Sequence, residues 1–239
     1  MLAIFKRDFA AYFTSPIGYV YIGAYILVLN LMFYINNALG SSSSLSNVFS
    51  FMLTMMMFLT PILTMRIFSE ELKTKTDQLL LTTPVSLPSI VIGKFLSALA
   101  IFSCVLVLTL LWVFIISFYG ENNKSEVIGS YIGIFCLGAA YISMGIFISS
   151  KTENQVIAAI GSLGLYVALF LLDMIIMFFS ADSILPAVVI RVLRFISING
   201  RFSDITRGLL TLDGIVFFIS ISAVFLALTV RGFEKRRWG

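Results

Sequence analysis

The chain contains no histidine. That removes the commonest metal ligand, the usual general base at neutral pH, and any Ser–His or Cys–His nucleophile pair. Only two cysteines occur, Cys104 and Cys136, each inside an apolar run and without metal-ligand spacing. They read as packed thiols, not as a structural disulfide. Charge is also scarce: charged residues are 12% of 239, against about 25% in an ordinary soluble domain. No GxxxxGK[ST] loop is present, since Gly93-Lys94 is followed by Phe95. The adjacent acids Glu70-Glu71 would diverge by about 100° on a helix and would not flank one bond. No metal site and no catalytic constellation are expected, so an enzyme is disfavoured. Nucleic acid is disfavoured as a partner, because no basic stripe interleaves with aromatics outside the apolar runs.

What is present is apolar. Hydrophobic residues are 59% of the chain and the mean hydropathy is +1.03. One soluble core of this size cannot bury that excess. The expected fold class is an all-α polytopic membrane protein, a single domain over residues 1–239. A bilayer crossing takes about 20 mostly apolar residues. Six runs meet that need, at 17–36, 47–66, 88–119, 128–150, 155–179 and 212–231. The first is too long for a signal-peptide core and lacks a small-residue cleavage site, so it is expected to be retained. The third exceeds a crossing, so its first turns should project beyond the bilayer, with Pro88 in the opening turn. Pro61 is expected to kink the second.

Residues 2–14 suit an interfacial helix. Leu2, Phe5, Phe9, Tyr12 and Phe13 share one arc of about 100°, and Arg7, Ala11 and Thr14 face away. Lys and Arg favour one side of the membrane by eleven to five when the N-terminus is cytoplasmic. The segment 182–211 holds four of the five remaining basic residues, yet alternates with apolar stretches too short to span. It reads as an outer helical hairpin, surface-lying or re-entrant.

Asp173 lies deep in the fifth run, where an ionisable group is costly and a functional candidate. Three readings stand: pairing with Arg191 or Arg194 of the hairpin, lining a pathway, or reaching the outer interface. Small residues cluster on the fourth and fifth runs, among them Gly129, Gly133, Gly138, Gly145, Gly161 and Gly164, and permit close helix contact.

The densest charge is an island from Arg66 through Glu70, Glu71, Lys73 and Lys75 to Asp77, followed by Leu79-Leu80-Leu81-Thr82-Thr83-Pro84. Thr74-x-x-Asp77 is similar to a capping box. The spacing predicts a short amphipathic helix over 76–81, stopped before Pro84. Such a loop between two spans is suited to receive force from a soluble partner.

With these residues in view, the chain resembles the ABC-2 type permeases of ABC transporters. The similarity is strongest to the short permeases of the gliding-motility and nitrous-oxide-reductase-maturation kind. Three stretches carry it. They are Phe5-Lys6-Arg7-Asp8 with Tyr12-Phe13-Thr14-Ser15-Pro16-Ile17-Gly18-Tyr19; then Ser69-Glu70-Glu71 to Thr76 with Leu79 to Val85 and Gly93-Lys94; then Phe202-Ser203-Asp204-Ile205-Thr206-Arg207-Gly208 and the basic tail. The family often has Gly-Thr at the position of Lys75-Thr76, and Glu near Asp77-Gln78.

The resemblance implies a prokaryotic inner-membrane permease with both termini cytoplasmic, driven by a separate ATPase subunit that binds ATP and magnesium. It implies a coupling loop over 67–87, with Glu70, Glu71, Lys73, Thr74, Lys75, Thr76, Asp77, Leu79, Leu80 and Pro84 as contact residues. Lys151, Thr152 and Glu153 would form a second contact. A second permease copy or a homologue would complete the membrane part, with spans one and five meeting across the dimer. Export is the expected direction. The alternative is an ATPase-driven scaffold or mechanotransducer that moves an extracytoplasmic partner without transport.

Overall fold

The structure is a computed structural model, and it describes residues 1–40, 44–76, 85–119, 124–182, 197, 200 and 212–238. Helix α1 spans Leu2–Thr14. Ser15 then takes an extended conformation and Pro16 opens α2, Pro16–Phe33. Proline disfavours a helical residue before it yet suits the first helical position, so Ser15-Pro16 ends one helix and starts the next. Gly18 makes the corner possible: a Cβ there would meet the Tyr12 carbonyl oxygen at 2.5 Å. A π-helical turn, Tyr34–Leu39, extends α2.

Helix α3 is Ser46–Thr64 and contains Pro61 one turn before its end. A turn leads into the five-residue α4, Ser69–Lys73. The remaining helices are α5 (Leu87–Tyr119), α6 (Lys124–Ser149), α7 (Gln155–Asp182) and α8 (Leu212–Trp238). Six helices are long and apolar enough to cross a membrane, which bears out the expected all-α polytopic class. The basic tail is helical, since α8 continues through Lys235, Arg236 and Arg237. Of the expected outer hairpin, Asp182 closes α7, and most of 183–211 lies outside the described residues.

Helix α6 is the axis of the fold. It packs against α8, α3, α5 and α7, and 72% of its span is buried, against 17% for α7. Its glycines explain this. A Cβ at Gly138 would enter the Phe102 ring, and one at Gly145 would come within 2.8 Å of the Tyr166 hydroxyl. Small residues thus let α5 and α7 approach within one protomer. Gly164 on α7 has no such neighbour. The outer faces carry exposed Leu27, Leu31, Leu171, Met174, Val216 and Ile219, as expected of surfaces that meet lipid.

Polar groups inside the spans need protein partners, because the bilayer core supplies no water. Tyr25 donates to the Met52 carbonyl at 3.1 Å and Tyr166 to the Tyr141 carbonyl at 2.6 Å. At one end of the bundle, Trp112 donates to Asn30 at 2.7 Å, its ring stacks on Phe33, and Ser46 donates to Glu126. The other end holds α1, α4 and the final turns of α8, where Phe233 packs on Phe68 with ring centroids 4.7 Å apart. Both termini therefore lie at the same end.

Candidate functional site

Helix α5 has 33 residues and is about 50 Å long at 1.5 Å per residue, well over a hydrocarbon core of about 30 Å. Its second turn carries Lys94. That lysine is buried, with its side chain only 4% exposed. A buried ammonium is costly unless it is paired and hydrogen-bonded. Lys94 Nζ donates to Glu71 Oε1 at 2.8 Å and to the Ile67 carbonyl at 3.1 Å, and lies 3.2 Å from Asp8 Oδ2. The Phe68 ring covers it, 5.1 Å from the ammonium to the centroid.

Arg7 closes the group from above. Its Nε donates to Asp8 Oδ1 at 2.8 Å and its Nη2 to Glu71 Oε1 at 3.1 Å. The hydrogen bond to Asp8 does most to hold the Arg7 guanidinium above its usual pKa range, with Glu71 adding and burial opposing. Tyr12, buried one turn on, donates to the Leu63 carbonyl at 2.9 Å, and burial first and Asp8 second push its phenol up. Two cations and two carboxylates thus join α1, α4 and α5 at one point. Gly93 allows the approach, since a Cβ there would press on Ile4 and the Met1 carbonyl at 3.3 Å.

The turn before α4 is held from α6. Ser149 Oγ accepts the N–H groups of Phe68 and Ser69 at 3.1 and 3.2 Å and donates to the Met65 carbonyl at 3.1 Å. A side chain from another helix therefore satisfies the orphan donors that open α4.

At the end of α4 the Thr74 hydroxyl donates back to the Glu70 carbonyl at 2.9 Å, which helps close that helix. Lys75 has φ 56°, in the left-handed region. Its N–H meets the Leu72 carbonyl at 3.2 Å and the Thr76 N–H meets that of Glu71 at 3.0 Å. This is the Schellman ending, which favours glycine at the left-handed position. The resemblance places a glycine at that position, and the physical reason is this turn. The helical stretch in the described part of the island is therefore Ser69–Lys73, earlier than 76–81. Asp77, Leu79, Leu80 and Pro84 lie outside the described residues, as does the predicted helix beyond Thr76.

The other anticipated residues are distributed as follows. Glu70 pairs with Arg66 four residues back, both partly exposed. Lys73, Lys151 and Glu153 are exposed. The 150–154 loop is at the same end as α4: Lys151 Nζ would be 3.0 Å from a Cβ on Gly232 of α8, and it sits 5.1 Å from the Phe147 centroid. Thr152 Oγ1 accepts the Asn154 N–H, and Asn154 Oδ1 accepts that of Val156 in the first turn of α7. Asp173 is half-buried on α7, within electrostatic reach of Tyr141 on α6. Arg191 and Arg194 lie outside the described residues.

Sequence reasoning quoted Lys94 and Asp8 inside two separate stretches of the resemblance and did not join them. The available signal was a lone lysine in the opening turns of an over-long apolar helix. A buried lysine demands carboxylates, and few exist.

A family model described as ABC-2 family transporter protein matches residues 2–238. The chain belongs to the ABC-2 transporter family. It is a membrane permease subunit of an ABC transporter, and such subunits normally work with a separate ABC ATPase. No curated protein matches it.

Proposed function

We propose that this permease is an exporter subunit of a prokaryotic inner membrane, moved by an ATPase subunit that docks on the end carrying α4. Within the family we group it with the short gliding-motility and nitrous-oxide-reductase-maturation permeases, on the motifs quoted above. The excess of Lys and Arg at that end supports a cytoplasmic location for both termini. ATP and magnesium belong to the partner. The 67–87 segment receives the ATPase, the 150–154 loop makes a second contact, and a second permease copy or a homologue completes the membrane part.

The observation that carries this reading is the ion node. A push on the segment after α3 cannot remain local, because Glu71 is joined to Lys94 on α5 and Arg7 on α1. Rigid-body motion of packed helices is a known mode of switching. Charge reversal at Glu70 and Glu71, or deletion of 74–82, is expected to uncouple ATP hydrolysis from transport while the spans remain folded. Unchanged coupling in reconstituted vesicles would refute the proposal. Stable co-purification with an external protein, with hydrolysis but no flux, would favour the scaffold reading.

A further inference from the structure

Helix α8 carries two rows of residues, and its last turns take them to different places. The inward row, Phe218, Ser222, Thr229 and Phe233, is buried against the bundle. The outward row, Val216, Ser220, Val224 and Arg231, is exposed. Both rows follow from spacings of four and seven residues on one helix. Lys235 continues the outward row, four residues past Arg231. Arg236 and Arg237 continue the inward row, three and four residues past Phe233, yet both are exposed. Packing has ended at that level, so the two guanidiniums overhang the end of the bundle. Among the described residues neither is in an ion pair. The end they overhang is the one that carries α4. Phe233 packs on Phe68 at the head of α4, and a Cβ on Gly232 would lie 3.0 Å from Lys151 Nζ of the 150–154 loop. The last turns of α8 therefore stand beside both segments proposed above as ATPase contacts. Exposed Lys73, Lys75 and Lys151 share this end, and its exposed acids among the described residues are Glu153 and Glu234.

We propose that the last turns of α8 are a third contact for the ATPase subunit, with Arg236 and Arg237 meeting carboxylates on its surface. A guanidinium suits a carboxylate through its paired N–H donors. Lipid phosphate is the other anion within reach of a helix end, and the two rows separate the cases. Arg231 and Lys235 continue the row that meets lipid, whereas Arg236 and Arg237 continue the row that faces α4. The inference rests on the reading that an ATPase docks at this end.

The test is photo-cross-linking in the permease–ATPase complex in lipid nanodiscs. A benzophenone is carried on single cysteines at Arg236→Cys, at Lys73→Cys on α4 and at Arg231→Cys on the outward row, with Cys104 and Cys136 changed to Ser. Adducts to the ATPase are expected from Arg236→Cys and Lys73→Cys, and adducts to lipid from Arg231→Cys. An ATPase adduct from Lys73→Cys with none from Arg236→Cys overturns this inference and leaves the docking reading standing. No ATPase adduct from either position overturns both. Lipid adducts alone from Arg236→Cys assign the arginines to the membrane surface and overturn the proposal. The charge itself is read by titrating the ATPase onto the permease. Arg236→Glu with Arg237→Glu should weaken binding about tenfold, and Arg231→Glu with Lys235→Glu by no more than about twofold. Both pairs change the net charge equally, and all four residues are exposed, so the spans stay folded in each. Equal losses from the two pairs, or no loss from the first, overturn the proposal.

Discussion

The two ends of the bundle are tied in different ways. At one end, Lys94, Arg7, Asp8 and Glu71 hold three helices with a buried ionic group. At the other, Trp112 on Asn30, Phe33 on Trp112, and Ser46 on Glu126 do the joining with an indole, a ring stack and a hydroxyl. Losing one neutral donor there leaves its partner short of one hydrogen bond. Losing one member of a buried ion pair costs more, because the remaining charge is left without a partner. The ionic end therefore behaves as one unit that either moves together or comes apart.

The sharpest way to expose this difference is Lys94→Met. It leaves Asp8 and Glu71 with the half-exposed Arg7 as their one remaining cation in the node and should cost up to about 3–5 kcal/mol of stability, measured by thermal or denaturant unfolding in detergent. Next is Ser149→Ala, which leaves the Phe68 and Ser69 N–H groups and the Met65 carbonyl without their partner. A loss of about 1–3 kcal/mol is expected in the same assay. At the opposite end, Glu126→Gln keeps an acceptor for Ser46 and should cost about 0.5–1.5 kcal/mol. If Glu126→Gln proved as damaging as Lys94→Met, the contrast between the ends would fail.

Much of this architecture is legible in the residues. The six crossings follow from apolar length, and the α1–α2 corner from Ser15-Pro16. The positions where legibility fails are those set by contact between distant segments. Lys94 and Asp8 are 86 positions apart, and nothing local tells either that the other is near. Thr74 illustrates a second point. Threonine three residues before an acid fits a helix start, and its hydroxyl also bonds back to the carbonyl four residues earlier, a closing role for α4 that the spacing does not announce. The glycines of α6 and α7 are alike in sequence, yet Gly145 faces Thr64 and Tyr166 while Gly164 faces no neighbour. Composition marks both as helix-contact residues, and only the packing separates them.

The central claim is that α1 and α4 move as one body through the ATPase cycle. Spin labels at Lys6→Cys and Lys73→Cys, with Cys104 and Cys136 changed to Ser, read this directly by pulsed EPR on the permease–ATPase complex. Both lysines are exposed, on α1 and α4 respectively. The account predicts one distance distribution, the same without nucleotide and with ATP trapped. A distribution that shifts or splits on ATP binding would show that the node opens during the cycle, and would contradict it.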